Sequence, residues 1–230
     1  MYLALDFPDL KTTKSFIESN HLQSVPVKVG MELFYKEGTK IIEYLKENNH
    51  SIFLDLKLFD IPTTVERSMR NLANLEVDFV NVHALGGSEM IKRAKEGLQS
   101  NSSSNHETNL LAVTILTSID NSSLKGDLGL SGTVEEEVKR LARLSEDSGA
   151  NGVVCSVHEA ALVKAACQPG FKTMTPGIRL SQSDSNDQKR IATPKFAKEN
   201  GSDYIVIGRS ITQADNPKSA YEIALGEWTK

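Results

Sequence analysis

The chain has 230 residues, 39% of them hydrophobic and 24% charged, with a formal net charge of −4 at pH 7. A chain of this size and composition buries a globular core without disulfide staples, and its acidic balance weighs against a nucleic-acid or anionic-membrane surface while leaving room for a local basic pocket. Cys155 and Cys167 have no metal-type or redox-type spacing, the N-terminal MYLALDFPDL has no basic leader, and no run approaches membrane-spanning length, so a cytoplasmic protein is expected.

Short β-rich runs alternate with helical patterns along the whole chain. YLALD (2–6) precedes a helix over 10–19, and VPVKVG (25–30) precedes an amphipathic stretch over 32–48. SIFLDLKL (51–58) leads into a helix over about 63–75, and VDFVNVHA (77–84) into one over 88–99. LLAVTILT (110–117) precedes a helix over 133–148, where Thr133 and Glu136 have capping-box spacing. GVVCS (152–156) precedes a helix over 159–166. KTMTPGI (172–178) precedes a helix near Thr193 with Pro194 in its first turn, and YIVIG (204–208) precedes the final segment, 217–228.

That is about eight βα units with no break in composition. Strands alternating with helices of this length imply a parallel sheet, and eight units predict a single (β/α)8 barrel, a TIM barrel, over residues 1–230. The competing doubly wound sheet would carry a glycine-rich fingerprint after the first strand, and LDFPDL has none. The polar stretch 100–109 joins a helix to the next strand, which puts it on the barrel face away from chemistry. The polar stretch 179–190 follows a strand, so it falls on the catalytic face, where long loops often serve as lids.

In such a barrel, chemistry sits at the C-terminal ends of the strands. Those ends carry Asp6, Lys28, Asp55 with Lys57, Asn81 with His83, Thr117 with Ser118, Cys155, Pro176 with Gly177, and Gly208 with Arg209. Alternation puts Asp55 and Lys57 on one face of their strand, with Leu54 and Leu56 on the other. Lys28 lies between Val27 and Val29 in another apolar strand. Asp60 lies just beyond its strand, before the turn forced by Pro62. Alone, any of these charges reads as half of a structural ion pair. Together they read better as function, because a buried pair is seldom a net stabiliser. Gly208 and Arg209 at the eighth strand end, with Gly177 and Arg179 at the seventh, suit a phosphate group, although turn glycines and solvated arginines would look the same. The five histidines show no ligand spacing.

DLKLFDIPTT is similar to the D-x-K-x-x-D-I-P-x-T signature of the orotidine 5′-phosphate decarboxylase family, and ALD, VKVGMELF, LTS, TPGIR, NDQ and GSDYIVIGRSIT match its other blocks in order. The resemblance runs from Leu3 to about Thr212 and is nearest to the bacterial enzymes. Phe59 and Thr63 depart from it, where His and Asn are common. The resemblance implies conversion of orotidine 5′-monophosphate to uridine 5′-monophosphate, the last step of pyrimidine synthesis, by a homodimer of barrels with no cofactor; Lys28 at the second strand end and the lack of a ligand cluster lead to the expectation of no metal. Lys57 would be the proton donor to C6, and Asp55 would lie beside the substrate carboxylate. Asp60 would reach the partner subunit's site with Ile61 and Thr64. Lys28 and Asp6 would hold the ribose and complete a charge network. Thr117 and Ser118 would face the pyrimidine, and Pro176 would bind substrate. Arg209, Gly208, Gln188 and Arg179 would hold the phosphate or its loop.

Loss of CO2 from C6 leaves a carbanion that the ring delocalises poorly. With no cofactor as electron sink, the protein must supply preorganised charge and a waiting proton. A lysine ammonium can do both, and flanking carboxylates favour its charged form. Two alternatives stand beside this expectation. One is a metal-dependent phosphosugar decarboxylase or hexulose-phosphate synthase on the same barrel, which would place an acidic metal ligand where Lys28 stands. The other is a non-catalytic barrel that binds a phosphorylated ligand, which would keep Arg209 but have little need for Asp55, Lys57 and Asp60.

Overall fold

The computed structural model describes residues 1–100, 106–180 and 192–229. The eight β-rich runs form parallel strands: β1 (Tyr2–Leu5), β2 (Val27–Gly30), β3 (Ile52–Leu58), β4 (Phe79–His83), β5 (Asn109–Val113), β6 (Gly152–Val154), β7 (Lys172–Ile178) and β8 (Tyr204–Ile207). Each bonds to the next in sequence, and β8 returns to β1, closing the (β/α)8 TIM barrel. The helices are α1 (Leu10–Ser19), α2 (Met31–Glu37), α3 (Thr39–Glu47), α4 (Pro62–Ala73), α5 (Gly87–Gln99), α6 (Asn121–Gly126), α7 (Val134–Asp147), α8 (Val157–Ala166), α9 (Pro194–Glu199), α10 (Arg209–Thr212) and α11 (Pro217–Thr229). Among the described residues no helix is long and apolar enough to cross a membrane.

Strand alternation divides the core in two. Outward residues such as Leu3, Val27, Leu54, Val80 and Ile205 pack against the helices. Inward residues make a second, smaller cluster, including Tyr2, Phe53, Phe79, Leu111, Met174 and Val206. Its rings meet edge to face, with centroids 6.0 Å apart for Tyr2 and Phe79 and 5.0 Å for Phe79 and Tyr204. This aromatic layer plugs the barrel. Two or four residues further along the same strands, on the same face, come Asp6, Asp55, Lys57 and Asn81. The core therefore forms the floor of the site.

Local signals hold where they are strong. The capping box at α7 forms as its spacing implies: Thr133 Oγ1 accepts from Glu136 N at 3.2 Å, and Glu136 Oε2 accepts from Thr133 N at 2.9 Å. Thr193 caps α9 by accepting from Phe196 N, with Pro194 at the first helical position. Weaker signals differ. The stretch 32–48 is two helices, broken at Gly38, whose φ of 62° and ψ of −139° interrupt the helical path. β5 stops at Val113, short of the apolar run's end at Thr117; the buried Thr114 follows, its backbone N–H and its hydroxyl both donating to the Val154 carbonyl. The loop that follows holds α6, capped by Asp120, whose side chain accepts from Ser123 N.

Candidate active site

The C-terminal mouth of the barrel holds a cavity of about 340 Å³, floored by Ala4, Phe53, Val113, Val154 and Val206. On one wall β1, β2 and β3 project a line of alternating charge. Lys28 Nζ lies 3.1 Å from Asp6 Oδ1 and 3.4 Å from Asp55 Oδ2, and Lys57 Nζ lies 2.7 Å from Asp55 Oδ1. The order Asp6, Lys28, Asp55, Lys57 gives each interior charge two neighbours of opposite sign.

Those neighbours decide the protonation states. Burial opposes the ammonium of Lys28, but Asp55 and Asp6 outweigh it and hold its pKa above the ordinary lysine value. Burial would likewise push the Asp55 carboxyl up. Lys28, Lys57 and a hydrogen bond from Asn81 instead hold it below the ordinary carboxylate value. Both groups stay charged at neutral pH.

Backbone geometry makes room for this line. Gly30 ends β2 in register with Asp55. A Cβ on Gly30 would lie only 3.2 Å from Lys28 Nζ and 3.5 Å from Asp6 Oδ1, so the missing side chain is the space the ion pair fills. β3 is irregular where Asp55 and Lys57 sit. Its pairing with β4 shifts between Leu54 and Leu58, and Lys57 adopts a φ of +52°, unusual for a residue with a side chain. Asp55 and Lys57 still share the inner face, while Leu54 and Leu56 pack outward, but a bulge accomplishes this and not an even pleat.

Strand β7 faces β3 across an eight-stranded ring. From β7 and β8, Pro176, Gly177, Arg179, Gly208 and Arg209 line the other side of the cavity. Arg179 is buried, with its Nη1 donating to the Ile178 carbonyl at 3.3 Å. Gly177 has a φ of +80°, and Ala192 pairs with the strand end beside it. Thr117 and Ser118, from the loop after β5, complete the rim with Ile115 and Leu116.

Ten expected site residues therefore line one cavity: Asp6, Lys28, Asp55, Lys57, Thr117, Ser118, Pro176, Arg179, Gly208 and Arg209. Three do not. Asp60, Ile61 and Thr64 are exposed outside it, at the turn into α4, where Asp60 Oδ1 accepts from Ile61 N at 2.6 Å. Phe59 and Thr63 are exposed in the same stretch, and the Phe59 ring lies 5.8 Å from that of His83. Gln188, and the loop 179–190 beyond Leu180, lie outside the described residues. Asn81 is a site residue to which the sequence assigned no role. Fully buried, it donates from Nδ2 to Asp55 Oδ1 and accepts at Oδ1 from Lys57 N, both at 2.7 Å. Its signal was a polar side chain at the inward position of an apolar strand. Ile115 and Leu116 carried no signal, since an apolar rim residue looks like core.

Comparison with known proteins places this geometry in a lineage. A model of the family described as orotidine 5′-phosphate decarboxylase / HUMPS matches residues 1–224. The chain is similar to proteins named orotidine 5′-phosphate decarboxylase from Bacillus cytotoxicus and Bacillus cereus, at 52% and 51% identity, with 99% of this chain and 96% of each relative covered. A solved structure of the decarboxylase from Lactobacillus acidophilus superposes with a TM-score of 0.88 at 42% identity, covering 100% of this chain and 99% of that one.

Proposed function

This chain belongs to the orotidine 5′-phosphate decarboxylase / HUMPS family, and on that premise we propose how its barrel mouth performs the family's decarboxylation. The protein converts orotidine 5′-monophosphate to uridine 5′-monophosphate and CO2, the last step of pyrimidine synthesis. The family description spans two names, but the relatives at 51–52% identity carry only the decarboxylase name, so the alternatives on the same barrel are not favoured.

The alternating line Asp6, Lys28, Asp55, Lys57, open to a cavity with two arginines on its far side, supports the assignment of roles. The bond from C6 to the carboxyl carbon breaks, CO2 leaves, and the electron pair stays on C6. The Lys57 ammonium stabilises that pair and then gives it a proton. Asp55, 2.7 Å from Lys57 Nζ, holds the ammonium in place before charge develops on the substrate, so little reorganisation remains for the reaction itself. Lys28 and Asp6 take the ribose hydroxyls. Thr117, Ser118 and Pro176 line the pyrimidine. Arg209, Gly208 and Arg179 hold the phosphate, joined by Gln188 on the strength of the family resemblance. Binding energy from that remote group can be spent on the reacting end, which a barrier reduction on the order of 20 kcal/mol requires.

The reaction needs no cofactor in this scheme. Lys28 Nζ already sits between the Asp6 and Asp55 carboxylates, the space a divalent cation would need. Asp60, Ile61 and Thr64, exposed beside the mouth, serve the site of a second subunit across a two-fold homodimer. Residues 1–230 act as one catalytic unit in the cytoplasm, with no nucleic-acid or membrane partner.

A spectrophotometric assay with orotidine 5′-monophosphate, run with and without EDTA on the wild type and on Lys57→Ala, tests the scheme. The wild type should be indifferent to EDTA. Lys57→Ala should lose nearly all kcat yet still bind uridine 5′-monophosphate. Activity abolished by EDTA and restored by magnesium, or a Lys57→Ala enzyme with a substantial fraction of wild-type kcat, would overturn it.

A further inference from the structure

The bulge in β3 leaves Lys57 with two structural problems. Between Leu54 and Leu58 this strand advances four residues while β4 advances two, from Val80 to Val82. The Lys57 N–H is thereby turned away from the regular ladder, and the φ of +52° puts its Cβ in a region that L-residues disfavour. A residue persists there only where its surroundings over-determine it. An N–H turned out of the ladder at a half-buried residue also needs an acceptor.

Asn81 meets both needs from the neighbouring strand. Its Oδ1 accepts from Lys57 N at 2.7 Å, in place of a ladder carbonyl. Its Nδ2 donates to Asp55 Oδ1 at 2.7 Å, the same oxygen that receives Lys57 Nζ at 2.7 Å. The amide can face only one way, since the N–H requires an acceptor and the carboxylate requires a donor. One buried side chain therefore closes a ring that runs from the Lys57 backbone, through Asn81 and Asp55, to the Lys57 ammonium. Asn81 itself does not line the cavity.

We infer that Asn81 is a positioning residue for the decarboxylation: it locks the β3 bulge that aims the Lys57 ammonium and fixes the Asp55 oxygen that ammonium rests on. The inference rests on the role proposed for Lys57. A misplacement near 1 Å far from the bond being broken can cost about 100-fold in rate. Loss of the lock should fall on kcat, because substrate is held mainly by groups on other strands.

Asn81→Ala, Asn81→Asp and Lys57→Ala are compared with the wild type for kcat and KM from pH 5.5 to 8.5, with thermal melts alongside. Asn81→Ala should lower kcat by about 100-fold while KM moves less than about threefold. Asn81→Asp keeps the shape and the acceptor for the Lys57 N–H but sets a second carboxylate against Asp55. The two should share a proton, so activity should rise as pH falls, a limb absent from the wild type. A residue that merely stabilises the fold would lower the melting temperature without creating that limb. Should Asn81→Ala not fold, Asn81→Asp carries the test. Asn81 variants with wild-type kcat and pH profile, beside an inactive Lys57→Ala, would overturn this inference alone. A Lys57→Ala enzyme that still turns over would overturn both it and the proposed role of Lys57.

Discussion

Gly30→Ala isolates the charge line from the rest of the fold. The backbone at Gly30 has φ −89° and ψ 178°, which alanine adopts without strain. The new Cβ, 3.2 Å from Lys28 Nζ, falls inside the roughly 3.5–4.0 Å separation of comfortable heavy-atom contacts, so the ammonium must withdraw by about 0.3–0.8 Å. Lengthening the 3.4 Å Lys28–Asp55 pair by about 0.4 Å weakens it by about 0.5 kcal/mol at an effective dielectric constant near 20. The Lys28–Asp6 pair adds less, because Asp6 is mostly in water. A lysine pushed off its rotamer adds about 0.5–1.5 kcal/mol. The sum, about 1–2 kcal/mol at the site, corresponds to a fall of about 5- to 30-fold in kcat/KM. The same strain is present in the folded free enzyme, where the about 0.4–1 kcal/mol that alanine contributes through the unfolded chain offsets part of it, so the net loss of folding stability should stay below about 1.6 kcal/mol. Continuous ultraviolet assay of orotidine 5′-monophosphate consumption, paired with urea unfolding, measures both quantities. A kcat/KM within twofold of wild type would refute the reasoning. So would a loss of stability as large as the loss of transition-state binding.

Asp55→Asn tests the electrostatics through folding. The folded pKa of Asp55 lies below the ordinary carboxylate value, so its stabilising share is complete above about pH 4 and is lost as pH falls through the folded value; that of Lys28 lies above the ordinary lysine value, so its share is complete below about pH 10 and is lost as pH rises past it. The difference in unfolding free energy between wild type and Asp55→Asn should therefore be flat from pH 5 to 9 and shrink only in stronger acid; shrinkage between pH 5 and 7 would contradict these shifts. Gly97→Ala in α5 would set a Cβ 2.3 Å from the Glu66 carbonyl oxygen of α4, and should lower stability by about 1–3 kcal/mol in urea titrations with kcat unchanged; a wild-type melting temperature would show that the helices part freely. Arg209→Ala should weaken binding of orotidine 5′-monophosphate but barely affect orotidine lacking the phosphate, whereas equal losses would make Arg209 structural. In the proposed homodimer, Lys57→Ala and Asp60→Ala should each be nearly inactive alone and regain activity when mixed, because with random exchange about half the dimers are mixed and roughly a quarter of all sites are intact. No recovery after verified exchange would place Asp60 in its own barrel.

Much of this was written locally. Eight alternations of β-rich run and helical pattern specify eight βα units, because strand and helix periods are properties of a few consecutive residues. Thr133 with Glu136 and Thr193 with Pro194 mark helix starts for the same reason. Asp55, Lys57 and Lys28 stood out because a charge in an apolar strand conflicts with its neighbours. The resemblance of DLKLFDIPTT supplied the chemistry that those conflicts served.

Other features depend on partners far along the chain. Asn81 joins Asp55 and Lys57 across 26 and 24 residues, and only strand register brings them together. The bulge in β3 has no mark in IFLDLKL, where period two runs unbroken; it exists because β4 advances two residues while β3 advances four. Gly30 reads as a strand end until the pairing of β1 with β2 sets Asp6 beside Lys28 in the space its side chain would fill. The sequence by itself determined which segments become strands and helices and which residues carry charge into the core, because those follow from local periodicity and from the cost of burying a charge. Tertiary structure alone decided that the charges alternate in one line and that Lys57 is held at a strained angle, because both depend on the register at which eight strands close into a ring.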